Sequence, residues 1–231
     1  MRRLQRLVSD RPGDEVLLEG PRVVRQAVAA GVHLDLLVLR EGDQLDVVAD
    51  RTVSFARGLF RDLSQTQTPQ GVLAIARAGF APADRARAAA RAAGWPLLVL
   101  DRVQDPGNVG AIARTAAAAG APALAILPGT ADPFGAKAVR ASAGHVFQLV
   151  VAEVGWDDLE GLRCLGASAG GTPLDEVDLA SAGALVLGSE AHGLSRPLET
   201  VALPMAAGVE SLNVAAAAAV LLYEVRRRIA A

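Results

Sequence analysis

From Trp95 onward the chain repeats one pattern: a short, almost uninterrupted apolar run, a glycine-containing turn, then a segment with helical spacing. The runs read "PLLVLD", "ALAIL", "VFQLVV", "LRCLGAS", "ALVLGS" and "VALPM". A strand with one wet face alternates apolar and polar residues, and these do not. Continuous apolar strands separated by helices are what a parallel sheet covered on both faces requires. The pattern predicts an α/β unit, and in open sheets of that kind ligands sit where strands end and loops turn into helices. Three polar, glycine-bearing segments fall at such places: 101–114, 188–195 and 208–213.

A second, smaller unit precedes it. "VLLEG" predicts a strand ending in a turn, "PRVVRQAVAAG" a helix with Pro21 in its first turn and Gly31 after its end, and "LDLLVLR" the next strand. "TPQGVLAIAR" predicts a closing strand, and "APADRARAAARAAG" a polar, alanine-rich helix serving as a linker or edge helix. The division falls between residues 80 and 95, giving a small α/β unit over 1–90 and a larger one over 91–231. Formal charge is uneven across it, +3 before residue 95 and −5 after, which favours an anionic partner on the N-terminal side.

With 52% hydrophobic residues over 231 positions there is material for a sizeable core. The lone cysteine, Cys164, has no internal partner, and three scattered histidines form no metal-ligand spacing, so neither a disulfide nor a metal is implied. "LNVAAAAAVLLYEV" is too short to span a bilayer, and the residues after Met1 contain no long apolar core. The reading is cytoplasmic, without a membrane partner.

In the first polar segment, "DPGNVGAIARTAAAAG", Asp105-Pro106-Gly107 signals a turn and Asn108 is placed to cap a helix starting at Val109. Val109, Ile112, Ala116 and Ala119 share the face that meets the sheet, whereas Arg114 lies round from it, toward loops or solvent. "GNVG" is not the G-x-G-x-x-G fingerprint, so a nicotinamide enzyme is poorly supported. The second segment, "LVLGSEAHGLS", puts Glu190 and His192 in a loop after a strand, where a carboxylate can accept a hydrogen bond from a ribose. In the third, Ser211 and Asn213 stand where a helix begins, with Val214, Ala218, Leu221, Val225 and Ile229 on its buried face. Arg226, Arg227 and Arg228 end that helix in keeping with its dipole.

The segments "NVGAIARTAAAAG", "LVLGSEAHGLS" and "LPMAAGVESLNVAAAAAVLLYE", in this order, resemble the three signature regions of the SpoU/TrmH family of RNA ribose 2′-O-methyltransferases in the SPOUT superfamily. The likeness covers about residues 97 to 230 and includes "AVRASAGHVFQLVV"; the leading "LEGPRVVRQAVAAGVHLDLLVLR" is similar to the ribosomal-protein-like RNA-binding domain that many members carry. The resemblance implies a deep trefoil knot in the C-terminal domain, S-adenosylmethionine as methyl donor, an RNA substrate and a homodimer. Knots are rare exceptions to ordinary chain topology, and nothing in the periodicity predicts one.

By the same resemblance, Gly188, Leu203, Met205 and Leu212 enclose the cofactor, Thr172 lies near its adenosine part, and Asn108, Arg114, Glu190 and Asn213 are the polar active-site positions. The donor methyl is already activated, so the protein's task is positioning and charge management. Arginine is effectively always protonated in proteins. The preferred role for Arg114 is therefore to grip a phosphate and the ribose oxygen as the proton leaves, the alternative being that it acts as the base. Two departures stand out: Ala215 replaces a serine common after "SLNV", and Gly208 comes one place later than usual.

The leading reading is methylation of a ribose 2′-hydroxyl in structured RNA. The N-terminal module favours ribosomal over transfer RNA, and self-protection against a ribosome-targeting antibiotic is a narrower version. A non-catalytic RNA-binding or assembly factor with the same fold is the other class. Aromatics are scarce in the N-terminal unit, with Phe55, Phe60 and Phe80 the only ones, so recognition by shape and phosphate contacts is expected rather than base stacking.

Overall fold

The computed structural model describes residues 13–64, 68–179 and 181–230; the arginine-bearing stretch 1–12 lies outside them. Two sheets organise the molecule. The first holds β1 (Glu15–Glu19), β2 (Leu34–Arg40), β3 (Thr52–Phe55) and β4 (Val72–Arg77) in the order β1-β4-β2-β3. β4 runs antiparallel to β1 and β2, while β2 and β3 are parallel. Helix α1 (Pro21–Ala29) follows β1 and α2 (Arg57–Leu63) follows β3. Pro21 opens α1 after Gly20, whose φ of 96° only glycine adopts readily.

The second sheet holds β5 (Leu97–Asp101), β6 (Ala123–Ile126), β7 (Val150–Glu153), β8 (Cys164–Pro173), β9 (Ala184–Gly188) and β10 (Glu199–Ala202). Its order is β10-β8-β9-β5-β6-β7, and every pair is parallel. Each apolar run of the sequence thus supplies a strand, and β5, wholly buried, lies in the interior of the sheet. One face is covered by α4 (Pro106–Ala119) and α6 (Val214–Ile229), whose Val109, Ile112, Ala116, Ala218, Leu221 and Val225 pack on Leu98, Leu100, Leu124 and Leu185. The other is covered by α3 (Ala83–Ala92), through Ala86 and Ala90 against Leu97, Val99 and Ala125. The alanine-rich segment read as a linker or edge helix is therefore a packing layer of the second sheet, because its small residues let it lie close to the strands.

The two sheets share one apolar cluster. Val16, Leu18, Val23 and Val24 of the first unit belong to the same apolar cluster as Phe134, Val139 and Val146 of the second. Short helix α5 (Ala136–Ala141) lies at the join: its Arg140 pairs with Glu19 at 3.6 Å. Phe80 meets Phe134 edge-on at 5.5 Å, and Phe134 stacks on Phe147 at 6.1 Å. Phe60 is fully buried. These aromatics serve the core.

One irregularity matters for the site. Along β10, Thr200 pairs with Gly166 of β8 but the next residue, Val201, pairs with Thr172. Residues 167–171 bow out of the ladder between them. Gly171 makes this possible: a Cβ there would sit 2.7 Å from the Thr200 carbonyl carbon.

Candidate active site

The C-terminal ends of β5 and β9 release two loops toward the start of α6. After β5, Pro106 sets the helical φ and α4 begins at once, with Asp105 as its cap: the Asp105 carboxylate accepts from the Gly107 N–H at 3.0 Å. The cap expected at Asn108 falls three residues earlier, because proline is pre-organised for the first helical position and takes the boundary with it. Lys137 of α5 donates to Asp105 at 2.6 Å and, with the Gly107 N–H, holds that carboxyl below its usual range. Asn108, released from capping, lies in the first turn of α4.

Its side chain reaches the loop after β9. Asn108 Nδ2 donates to Glu190 Oε1 at 2.9 Å. Asn213 caps α6, Oδ1 accepting from the N–H groups of Ala215 and Ala216 at 3.0 and 3.3 Å. Its Nδ2 donates to Glu190 Oε1 at 2.8 Å and to Asn108 Oδ1 at 3.1 Å. The Val214 N–H adds a fourth strand to the knot of bonds, donating to Glu190 Oε1 at 3.3 Å. A carboxylate thus sits between the N-termini of α4 and α6, where both dipoles favour negative charge. The loop carrying it is closed by reciprocal backbone bonds between Ser189 and Gly193, at 3.0 and 2.8 Å. Gly188 is required beneath it, since a Cβ there would lie 2.6 Å from the Gly193 backbone.

Beside this cluster opens a cavity of about 860 Å³, within the range of pockets that enclose a cofactor-sized ligand. Gly188, Glu190, Leu203, Met205, Leu212 and Asn213 line it. Thr172 does not: the bow in β8 brings Ala167, Ser168 and Ala169 to the wall, and Thr172 pairs with Val201 beyond it. Arg114 stands apart from the cluster. Six residues beyond Asn108, it is about 120° round and about 9 Å along the helix, exposed, and without a hydrogen bond or ion pair among the described residues. Ala215, where a serine was expected, donates its N–H to Asn213. Gly208, with φ of 84°, occupies the third position of a turn closed by Val209 N–H to Ala206 O at 3.2 Å, a position that demands positive φ. Its displacement thus moves the turn with it.

The opposite wall is formed by residues 193–198; the segment 188–195 covers its first three residues, and Arg196, Pro197 and Leu198 were not anticipated from the sequence. "RPL", residues 196–198, carries no periodicity or motif, and only its place after that segment could have flagged it. The cavity mixes Leu187, Leu203, Met205 and Leu221 with Ser168, Ser189 and Asn213. Apolar walls interspersed with polar groups suit a nucleoside carrying a charged tail, so these residues fit S-adenosylmethionine.

Residues 96–223 match the SpoU rRNA Methylase family. The chain is 32% identical to a 23S rRNA (guanosine(2553)-2′-O)-methyltransferase of Bacillus subtilis over 228 residues, 91% of this chain and 88% of the relative. Among solved structures it is similar to the SpoU methyltransferase AviRb of Streptomyces viridochromogenes in complex with AdoMet, with TM-score 0.83 and 27% identity over 98% of this chain and 96% of the other. An AdoMet-bound rRNA methyltransferase of Sinorhizobium meliloti aligns with TM-score 0.78 and 28% identity over 93% of this chain and 88% of the other. The protein belongs to the SpoU methylase family, and it is an S-adenosylmethionine-dependent RNA methyltransferase.

Proposed function

We propose that this chain methylates a ribose 2′-hydroxyl in ribosomal RNA, with the 860 Å³ cavity as the cofactor site and the Asn108–Glu190–Asn213 cluster at its edge as the reaction centre. The observation that carries the reading is that Glu190 and Asn213 belong at once to the hydrogen-bonded cluster and to the cavity wall. Bound S-adenosylmethionine supplies an electrophilic methyl group. Asn108 and Asn213 fix the Glu190 carboxylate through Oε1. Its Oε2 accepts no hydrogen bond among the described residues and is available to a substrate hydroxyl. Arg114, equally uncommitted, grips phosphate and the ribose oxygen as the proton departs to water.

The N-terminal unit, residues 1–90, holds the RNA and residues 91–231 carry out the chemistry. The 23S rRNA specificity of the Bacillus subtilis relative supports a ribosomal substrate. The excursion of β8 and the docking of α6 against α4 and β9 support a trefoil knot. Exposed Val220 and Tyr223, on one stripe of α6, support a homodimer. No described helix is long and apolar enough to cross a membrane, and an RNA substrate places the protein in the cytoplasm.

The test is incubation with tritium-labelled S-adenosylmethionine and unmodified total RNA, followed by separation of rRNA from tRNA and alkaline digestion. Label in rRNA as alkali-resistant dinucleotides is the expected result. Alkali-labile label overturns the ribose assignment, and label in tRNA alone overturns the ribosomal one. Cofactor binding without any label points to a missing substrate state or partner, and absence of both label and cofactor binding points to the non-catalytic reading.

A further inference from the structure

β5 ends on a charged side chain that the site described above does not use. Asp101 is 1% exposed, within the sheet between β9 and β6 and opposite Gly188 in register. Burying a carboxylate is costly unless hydrogen bonds and a counter-charge compensate. Here compensation is partial and pointed. Oδ2 accepts from the Ser195 backbone N–H. Oδ1 accepts no hydrogen bond and has Arg102 Nε at 3.5 Å, itself buried and without a hydrogen-bond partner. Arg102 adopts φ of 58°, a conformation sparsely populated by non-glycine residues. It is held there by its N–H on Thr130 Oγ1, which in turn donates to Leu100 O, both at 2.9 Å. A buried charge and a strained backbone are thus maintained together beneath one loop.

Asp101 does not line the cavity, but Ser195 does, with Leu194, Arg196, Pro197 and Leu198. This wall has a second tether on its outer side. Trp156 Nε1 donates to Ser195 Oγ at 3.1 Å, and the Arg196 guanidinium lies 4.0 Å over the Trp156 ring. The wall is therefore gripped from the sheet and from the surface at the same residue. A hydrogen bond to an ionised acceptor is stronger than a neutral one, and fixing a binding surface in advance strengthens binding by removing an ordering cost.

We infer that Asp101 is a positioning residue for cofactor binding: through the Ser195 amide its buried carboxylate sets the cavity wall formed by residues 193–198, and Trp156 clamps that wall from outside. The inference rests on the reading that the cavity holds the cofactor, and its test separates the two. Trp95 and Trp156 are the only tryptophans, so in a Trp95→Phe background the emission of Trp156 reports the wall directly. Titration with S-adenosylhomocysteine, a stable stand-in for the cofactor, is expected to give a Kd raised roughly tenfold or more in Asp101→Ala, with shifted Trp156 emission and unchanged RNA affinity. A merely structural role moves neither the emission of the folded variant nor its cofactor affinity. Full-affinity binding by folded Asp101→Ala overturns the inference, as does an equal loss of RNA and cofactor binding. If Asp101→Ala does not fold, Trp156→Phe decides: a Kd raised roughly threefold or more is expected from loss of the outer tether, and an unchanged Kd overturns the inference. Leu203→Trp, which narrows the cavity, is the control. If it leaves binding intact the cavity reading itself falls, whereas if it abolishes binding and Asp101→Ala does not, only the role of Asp101 falls.

Discussion

Helices α4 and α6 run side by side in the same direction, and their two ends are closed by opposite charges. At the N-terminal ends Glu190 gathers donors from Asn108, Asn213 and Val214. At the C-terminal ends Arg226 Nη1 donates to the Ala118 and Ala119 carbonyls at 3.1 and 3.2 Å. Both arrangements answer the same physics, since a helix leaves unpaired N–H groups at one end and carbonyls at the other. They differ in what remains. Arg226 spends its contact on the end of α4 and does not line the 860 Å³ cavity, whereas Glu190 keeps one oxygen uncommitted at that cavity's edge. The same electrostatic rule serves cohesion at one end and chemistry at the other.

The sharpest probe of that contrast lies between the two ends. Arg114→Ala should lower kcat by about a hundredfold or more while leaving Tm unchanged, because the side chain is exposed and makes no bond among the described residues. Loss of stability instead of activity would show that Arg114 belongs with Arg226. Next comes Glu190→Gln, which keeps the shape but removes the charge shared by three donors. A fall in kcat/KM of roughly tenfold or more is expected, with at most about 1 kcal/mol of stability lost; unchanged turnover would place the chemistry elsewhere.

The C-terminal end should respond the other way round. Arg226→Ala is expected to cost about 1 kcal/mol in urea unfolding and to leave kcat/KM within about twofold of the parent. A large loss of activity would erase the distinction between the two ends. The smallest effect is acid dependence from the same region. Glu224 is hydrogen-bonded by Arg227 and Arg228, which hold its carboxyl at about 2, below the ordinary value of 4.5. The folded state therefore binds this proton less readily than the unfolded chain, and the stabilisation is present above about pH 4.5 and lost as pH falls toward 2. Unfolding measured between pH 5 and 2.5 should show a shallower loss in Glu224→Gln, and an identical slope would remove Glu224 from the account.

The parallel sheet was legible because burial on both faces leaves a compositional trace: six nearly continuous apolar runs lack the alternation of one-sided strands. The buried stripes of α4 and α6 were legible for the same reason, at a period of 3.6. Asn108, Glu190 and Asn213 could be singled out only as polar groups at strand ends; that one carboxylate oxygen joins all three is a matter of about 80 and 105 residues of sequence separation. The cap of α4 was misplaced because Asn108 and Asp105 are both good caps, and Pro106 settles the boundary. The support of the wall by Asp101 left no local signal, since a backbone amide meeting a carboxylate 94 residues away has no periodicity to read.

The sequence by itself determined the strands of the second sheet, the helices α1, α3, α4 and α6, and the polar groups left at their ends, because those follow from periodicity and turn chemistry within a dozen residues; β3, α2 and α5 carried no such signal. Only the tertiary structure decided that α3 covers the second sheet, that β8 bows to shape a cavity, and that Arg114 stays free while Glu190 does not. Those outcomes depend on which strand lies beside which, and pairing between distant segments is fixed by the packing of the whole core rather than by any stretch of it.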